Sequence, residues 1–257
     1  MKRKLFFSIG DQAVVSAFNF ALNLFLIKLW SPEDFGVFAL VAASAIFATM
    51  LQNAAVSTPL AVHLPAASDA DARAVLRRVF SSANWALTGV VLLLSAAGFF
   101  AWLGDGQREL VLAASVYLAS QFLREYQRGL LAVDGRLVAL FVADSLYVVL
   151  ATGGITVLHF AAGGAWERVA VVLFLIAAAG VVSMAPQLLP RQRPSFAGLA
   201  TQMRQVFGGQ WHEIRWSLLG ALTTDIQNRG YIFVAAAFFG PATVAHLQAG
   251  RIFFGPL

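Results

Sequence analysis

Residues 169–189 read VAVVLFLIAAAGVVSMAPQLL, a stretch of 21 residues without a charged side chain. A helix needs about 20 mostly apolar residues to cross the hydrocarbon core of a bilayer. Six other stretches have a similar length and composition. We therefore predict seven transmembrane helices, at approximately 13–30, 36–62, 79–103, 110–133, 137–160, 169–189 and 216–239.

The composition of the whole chain agrees with a membrane protein. Of its 257 residues, 59% are hydrophobic and 12% are charged, whereas a soluble domain has about 45–50% apolar and about 25% charged residues. The mean hydropathy of +0.74 leaves too little polar surface for a water-soluble fold. These values exclude a soluble enzyme, a nucleic-acid-binding module and a disordered chain. We predict an all-α polytopic membrane protein, and the absence of cysteine excludes disulfides and thiolate metal sites.

Basic residues are distributed unevenly over the predicted connections, and cytoplasmic loops collect lysine and arginine. One set of connections carries three of them, Lys28, Arg108 and Arg168. We therefore predict a cytoplasmic N-terminus on an uncleaved first helix, because Asp11-Gln12 interrupts the apolar run expected of a signal peptide. The other set carries thirteen basic residues: Lys2, Arg3, Lys4, Arg73, Arg77, Arg78, Arg124, Arg128, Arg136, Arg191, Arg193, Arg204 and Arg215.

The connection from Pro190 to Arg215 has an amphipathic pattern. After Pro194, Ser195 is a suitable helix cap, and Gly208-Gly209 is a suitable end. We predict a helix that lies on the cytoplasmic leaflet, with an ordinary soluble loop as the alternative. Its apolar face would consist of Phe196, Leu199, Ala200, Met203 and Phe207.

Catalytic and metal-binding motifs give no candidate site. The segment His212-Glu213-Ile214-Arg215-Trp216 begins like a zinc-protease helix, but Trp216 occupies the position of the second histidine ligand. The sequence has no phosphate-binding glycine loop and no Gly-x-Ser-x-Gly turn. We therefore expect no enzymatic activity, no cofactor, no bound metal and no nucleic-acid partner.

Polar side chains inside the predicted spans are the remaining candidates, because such residues usually face a bundle interior or a water-filled cavity. Span one carries Asn19 and Asn23, which are four residues apart and share one helix face. Span two carries Gln52 and Asn53. These amides either form interhelical hydrogen bonds, worth roughly 0.6–2 kcal/mol per contact, or line a cavity for a polar substrate.

Span four carries Gln121, Arg124 and Arg128 in one stripe. Either these arginines lie inside the membrane, or the span ends early and both extend to lipid phosphates. Reflection through the tight turn at Gly135 places Asp144 of span five opposite position 126, so we predict an ion pair between Asp144 and an arginine. The pair is either structural, or protonation of Asp144 releases an arginine for an anionic substrate.

Span seven is the most polar of the predicted spans. Asp225 and Arg229 are four residues apart in the order that favours an ion pair. At 100° per residue, the polar residues cover roughly 240° of the helix. Either protein surrounds this span and Arg229 faces a cavity, or the span begins later than residue 216. The polar residues are Thr223, Thr224, Asp225, Gln227, Asn228 and Arg229.

Two segments resemble bacterial polysaccharide flippases of the lipid-linked oligosaccharide and O-antigen type, in the multidrug/oligosaccharidyl-lipid/polysaccharide exporter superfamily. Residues 25–38, FLIKLWSPEDFGVF, are similar to the end of helix one and the start of helix two in that family. Residues 228–251 are similar to helix seven running into helix eight. Overlaying Ser31-Pro32 on Gly240-Pro241 also places Asn19 on Asn228, as an internal repeat would.

The resemblance implies two six-helix lobes around a central cavity that opens alternately to each side of the inner membrane. It implies that residues 1–190 form the N-terminal six-helix lobe and that 191–215 form a cytoplasmic amphipathic linker. Residues 216–257 would be helix seven and the start of helix eight of an incomplete second lobe. We therefore expect the sequence to be a partial one.

The resemblance also implies a cargo, an undecaprenyl-pyrophosphate-linked glycan, and a cation gradient as the driving force. Arg124, Arg128 and Arg229 would hold the diphosphate, because guanidinium stays charged and binds phosphate oxygens bidentately. Asp144 and Asp225 would couple ions by changing protonation. Membrane lipid and polysaccharide polymerase and assembly proteins are further expected partners. The sugar hydroxyls would bind to Asn19, Asn23, Gln52, Asn53 and Tyr231.

Two alternatives to a polysaccharide flippase stay open. A multidrug or cationic-solute antiporter of the same superfamily prefers a cavity with net negative charge, whereas Arg124, Arg128 and Arg229 against Asp144 and Asp225 give a basic one. A non-transporting membrane anchor for polysaccharide assembly predicts that cavity substitutions are silent. In that case changes in the 196–207 helix would not be silent.

Overall fold

The computed structural model describes residues 2–67, 69–161, 169–188, 198–209 and 211–254. The described residues are 95% helical, and no strand occurs in these ranges. A π-helix, Asn53–Ser57, joins the second and third helices, and a 3₁₀ turn, Asp105–Gln107, precedes the fifth. The α-helices are α1 Lys2–Leu29, α2 Pro32–Gln52, α3 Thr58–Ala66, α4 Ala70–Leu103, α5 Arg108–Val133, α6 Leu137–Ala161, α7 Val169–Leu188, α8 Leu199–Gly208, α9 Trp211–Phe239 and α10 Pro241–Phe254.

Five helical segments are long and apolar enough to cross a membrane. They indicate a membrane-embedded, multi-pass protein and confirm the all-α prediction. Helices α5 and α9 have spanning lengths of 26 and 29 residues. Both carry several charged and amide side chains and are not among the five, so the spans at 110–133 and 216–239 stay predictions. The five segments are Phe6–Leu29, Pro32–Ala66, Ala70–Leu103, Leu137–Phe160 and Val169–Pro186.

Four helices begin at least four residues before the predicted spans: α1, α2, α4, which begins at Ala70 and not at 79, and α9, which begins at Trp211 and not at 216. For α1 and α2 the reason is local. Helix α1 begins at Lys2, not near residue 13, and Asp11 lies within it because the side chain has an ionic partner inside the bundle. Helix α2 begins at Pro32, four residues before the predicted start. There the Asp34 amide donates to Ser31 Oγ at 3.1 Å, and proline suits the first helical position. The polar residues Ser31 to Asp34, which the predicted spans leave in a connection, therefore cap and begin α2.

The turn between α5 and α6 fixes how these two helices face each other. Gly135 has a φ of +67°, a conformation that favours glycine. Its amide donates to the Ala132 carbonyl at 3.0 Å, and the Arg136 amide donates to the Leu131 carbonyl at 2.9 Å. The connection is therefore short, and α5 and α6 run antiparallel as the sequence predicts.

Helix α5 lies in the centre of the bundle, where it packs against α2, α4 and α7. Helix α6 packs against α1 and α7 and also contacts α5. Small residues allow this close packing, since Ala113 and Ala114 on α5 are completely buried. The core also includes Leu26, Val41, Tyr147, Ala151, Leu173 and Ile176.

Helices α9 and α10 pack against α2. A Cβ on Gly36 would lie 1.8 Å from the Pro241 carbonyl oxygen, so the start of α2 touches the backbone at the start of α10. On the opposite side, α8 packs against α4, with the rings of Phe80 and Phe207 5.1 Å apart. The described part of α8 confirms a helix in the linker that ends at Gly208, and the predicted Ser195 cap and Phe196 lie outside the described residues.

Candidate functional site

A polar cavity of about 300 Å³ lies between α1, α2, α5, α6, α7 and α10. Along α5 it extends from Tyr117 to Arg128, a distance of about 16 Å at 1.5 Å per residue. The cavity lies between the helices and is open to the outside near α1, because Asn19 in its wall is exposed. Its polar lining consists of Asn19, Asn23, Thr49, Tyr117, Gln121, Arg124, Glu125, Arg128, Tyr147 and Gln248.

A buried ion cluster forms the charged part of this cavity. Arg124 Nη2 lies 2.5 Å from Asp144 Oδ1, and Arg128 Nε lies 2.8 Å from Asp144 Oδ2. The predicted ion pair between α5 and α6 is thus confirmed, with both arginines on one carboxylate. The alternative that the arginines extend to lipid phosphates is wrong, because Arg124 is 6% exposed and α5 continues to Val133. Arg124 and Arg128 therefore do not count as loop residues. Without them, one set of connections carries eleven basic residues and the other carries three.

Arg128 has two further acidic partners. Its Nη1 lies 2.9 Å from Glu125 Oε2, and its Nη2 lies 3.2 Å from Asp11 Oδ2. Three carboxylates therefore surround two guanidinium groups. With all groups ionised the cluster carries a net charge of −1. Only Arg124, Arg128 and Glu125 of the cluster line the cavity, so the lining itself carries a net charge of +1.

Arg124 is held from a second direction by an aromatic ring. Its guanidinium carbon lies 3.9 Å from the centroid of the Tyr147 ring, and cations are attracted to aromatic faces. Arg124 thus joins α5 to α6 through both a carboxylate and a ring. This arrangement fixes the guanidinium in the structure and limits its reach into the cavity.

One buried amide of the cavity is only weakly paired. The side chain of Gln121 interacts with the Tyr147 hydroxyl, and its buried Nε2 forms no hydrogen bond of standard geometry with a described residue. Gln121 lies three residues before Arg124, on the same face of α5. Because a poorly satisfied buried donor is costly, the amide is well placed to donate to a solute in the cavity.

The predicted amides of span one line this same cavity. Asn19 and Asn23 both contribute to its wall. Asn23 Nδ2 donates to the Asn19 backbone carbonyl at 2.7 Å, which orients its side chain along α1. The structure therefore brings Asn19, Asn23, Arg124 and Arg128 together, as expected for residues of one site.

The predicted amides of span two lie elsewhere. Gln52 Nε2 donates to Asn84 Oδ1 at 2.6 Å and to the Phe122 carbonyl at 2.7 Å. The side chain is buried and joins α2, α4 and α5, which matches the interhelical hydrogen-bonding alternative. Asn53 begins the π-helix and does not line the cavity.

The predicted site residues of α9 are likewise separate from the cavity. Arg229 Nη1 lies 2.6 Å from the buried Asp225 Oδ1, which confirms the ion pair across one helical turn. Neither residue lines the cavity, and Tyr231 is exposed. Described residues do not surround α9, because Thr223, Thr224, Gln227 and Asn228 are all exposed.

Sequence reasoning missed two acidic members of the cluster. Glu125 is three residues before Arg128, so helical spacing alone could have identified it. Asp11 is 117 positions from Arg128 in the chain, and a lone carboxylate in an apolar helix was the available signal. No sequence pattern distinguishes three further residues of the cavity wall from residues that only pack in the core: Tyr117, Tyr147 and Gln248.

Comparisons with models of protein families, with curated proteins and with solved structures each give no match. Within the described ranges, no group of three or more histidine or acidic residues is arranged to hold a metal ion. The resemblance to flippases therefore rests on residues 25–38 and 228–251. The function has to be argued from the chemistry of the cavity.

Proposed function

We propose that the chain belongs to an inner-membrane flippase or exporter that moves lipid-linked polysaccharide repeat units by alternating access. The observation that carries the proposal is the polar cavity inside a bundle of apolar helices. Polar groups at this depth are costly and are typical of substrate and ion pathways. The resemblance of residues 25–38 and 228–251 to polysaccharide flippases supports the same choice.

The wall of the cavity suits a glycan. It contains four amides, Asn19, Asn23, Gln121 and Gln248, and two tyrosines. An amide can both donate to and accept from a sugar hydroxyl. The weakly paired donor of Gln121, beside the Tyr147 hydroxyl, is a group that could turn to such a bond. The aromatic rings of Tyr117 and Tyr147 supply apolar faces beside these polar groups.

A diphosphate would bind to the two arginines of α5, since guanidinium and phosphate form bidentate hydrogen bonds. Both arginines are already paired with carboxylates. In the proposed cycle, Asp144 takes up a proton and releases an arginine for the diphosphate. Asp11 and Glu125 join Asp144 as groups that hold Arg128 in the unloaded state.

The proposal also includes a topology with more membrane spans than the five apolar helical segments. In it α5 and α9 also cross the membrane, and the first six spans form one lobe. Arg124 and Arg128 of α5 do not oppose this, because both are paired with Asp144 of α6 inside the bundle. The excess of basic residues on one set of connections supports a cytoplasmic N-terminus.

A specific observation favours a second candidate, a cationic-solute antiporter of the same superfamily. Three carboxylates against two arginines give the cluster an acidic balance. These carboxylates could bind a cation once an arginine moves away, whereas the charged residues that line the cavity, Arg124, Arg128 and Glu125, carry a net charge of +1. A membrane anchor without transport activity is the third candidate, and it requires that the cavity lining be dispensable.

A substitution at Gln121 separates these candidates. Gln121→Leu keeps the approximate volume of the side chain and removes its hydrogen-bonding amide. Gln12→Leu is the matched control, because Gln12 is an exposed amide of α1 that does not line the cavity. Each variant replaces the chromosomal copy in the source bacterium. Surface polysaccharide, extracted lipid-linked glycan, resistance to cationic compounds and the membrane level of the protein are then measured.

The flippase proposal expects Gln121→Leu to lower the rate of polymer export about fivefold, the effect of one lost hydrogen bond. Lipid-linked glycan should accumulate, and Gln12→Leu should behave as the unmodified protein. Unchanged polymer with reduced resistance to cationic compounds would instead support the antiporter. If both readouts are unchanged at a normal membrane level, the cavity does not carry a substrate and the proposal is wrong.

A further inference from the structure

A second, apolar groove lies on the outside of the bundle between α1, α6 and α7. It has a volume of about 720 Å³, within the range of roughly 300–1,000 Å³ that is typical of ligand sites. We call it the α6 groove. It is lined by Phe7, residues 135–139, Val142, Ala143, Leu146, Ser183 and Pro186.

The α6 groove has one charged residue, Arg136, at the end where α6 begins. The remaining lining is apolar apart from Ser183, whose hydroxyl already donates to the Gly180 carbonyl at 2.9 Å. Arg136 has no ion pair among the described residues. The neighbouring Asp134 is unavailable, because it is paired with both terminal nitrogens of Arg77. The groove therefore presents a free cation above an apolar channel.

The length of the groove corresponds to one leaflet. Its α6 wall runs from Leu137 to Leu146, which is about 14 Å at 1.5 Å per residue. The hydrocarbon core of a bilayer is about 30 Å thick. Arg136 belongs to the arginine-rich connections, so the groove lies in the leaflet on that side. Its charged end is at the headgroup level and its apolar end is near the bilayer centre.

We propose that the α6 groove binds an anionic phospholipid of this leaflet. The phosphate contacts Arg136, and one acyl chain lies along α6 between Phe7 and Pro186. Basic pockets between transmembrane helices are known to bind anionic headgroups, and an acyl chain provides the dispersion contacts that an empty groove would lack. This site is separate from the polar cavity and does not depend on the proposed cargo.

The test measures lipid binding to the purified chain by native mass spectrometry. The probes are phosphatidylglycerol and phosphatidylcholine with identical acyl chains. The unmodified chain should retain phosphatidylglycerol preferentially, and Arg136→Gln should reduce this preference about fivefold, the effect of one basic residue at the membrane surface. Arg136→Lys should keep it. Arg78→Gln is the matched control, because Arg78 is an exposed arginine on the same side and is not in the groove.

A second pair of variants tests the apolar part. Val142 lines the groove and is 58% exposed, so Val142→Trp fills the groove without disturbing the core. It should lower the binding of both phospholipids. Val149→Trp is the control, since Val149 is 65% exposed on the same helix and is outside the groove.

Three results would overturn the assignment. One is equal retention of the two phospholipids by the unmodified chain. Another is an effect of Arg78→Gln as large as that of Arg136→Gln. The third is binding of undecaprenyl phosphate that excludes phosphatidylglycerol, which would assign the groove to a carrier lipid. Size-exclusion chromatography of each variant confirms that loss of binding is not loss of folding.

Discussion

Replacing Asp144 should destabilise the protein more than replacing either other carboxylate of the ion cluster. Asp144 is fully buried and bonds to both arginines. Among the described residues it is the one ion-pair partner of Arg124, whereas Arg128 keeps Asp11 and Glu125. Removing one partner of a buried pair costs about 3–5 kcal/mol, because the remaining charge is uncompensated. Asp144→Asn should therefore lower the free energy of unfolding by about this amount.

The net charge of the cluster leads to the opposite expectation. Asp144→Asn would bring the formal charge of the cluster from −1 to zero, and a charge-counting argument predicts a mild effect. The geometry decides against it, because Glu125 is 32% exposed and cannot replace a carboxylate 2.5 Å from Arg124. Glu125→Gln should cost only about 0–1 kcal/mol, as for partly exposed ion pairs.

The measurement is reversible unfolding in mixed micelles, with the three single variants Asp144→Asn, Asp11→Asn and Glu125→Gln. The double variant Arg124→Met with Asp144→Leu completes the test. It removes both charges of the pair, so it should be more stable than Asp144→Asn alone. The reasoning is refuted if the double variant is the less stable one, or if Glu125→Gln is as harmful as Asp144→Asn.

Two further predictions concern the contacts of α2. Gly36→Leu should separate the starts of α2 and α10, because its Cβ would overlap the Pro241 carbonyl. The distance between spin labels on cysteines introduced into α2 and α10 measures this separation. Gly89→Leu should leave the distance unchanged, because no atom lies within 4 Å of a Cβ at position 89. Gln52→Leu should lower the free energy of unfolding by about 1–2 kcal/mol through the loss of two interhelical hydrogen bonds, and an equal effect of Asn53→Leu would contradict this.

The parts of the site that sequence predicts are those determined by local geometry. Asp144 meets Arg124 and Arg128 because a tight turn at Gly135 sets the register of an antiparallel hairpin. Asn19 and Asn23 share a cavity wall because residues four apart lie on one helix face. Neither conclusion requires knowledge of how distant helices pack.

The parts that sequence does not predict depend on packing between distant segments. Asp11 reaches Arg128 because α1 packs on α6, and no spacing rule relates residues 117 positions apart. Gln52 and Asn19 look equivalent in the sequence, yet the rotation of α2 points Gln52 toward Asn84 and away from the cavity. The resemblance places Arg229 in one site with the arginines of α5, whereas the structure pairs it with Asp225 on its own helix, away from the cavity.

The acidic balance of the cluster has a consequence for the proposed transport cycle. Two guanidinium groups that are paired with three carboxylates cannot attract a diphosphate as free cations would. The cargo gains an arginine only if a carboxylate releases it, and a proton or cation on that carboxylate favours the release. Cargo binding and ion binding at Asp144 or Asp11 are then linked, and linkage is reciprocal. In the proposed cycle, Asp11→Asn removes one carboxylate from Arg128, so a lipid diphosphate should bind more tightly to this variant than to the unmodified protein.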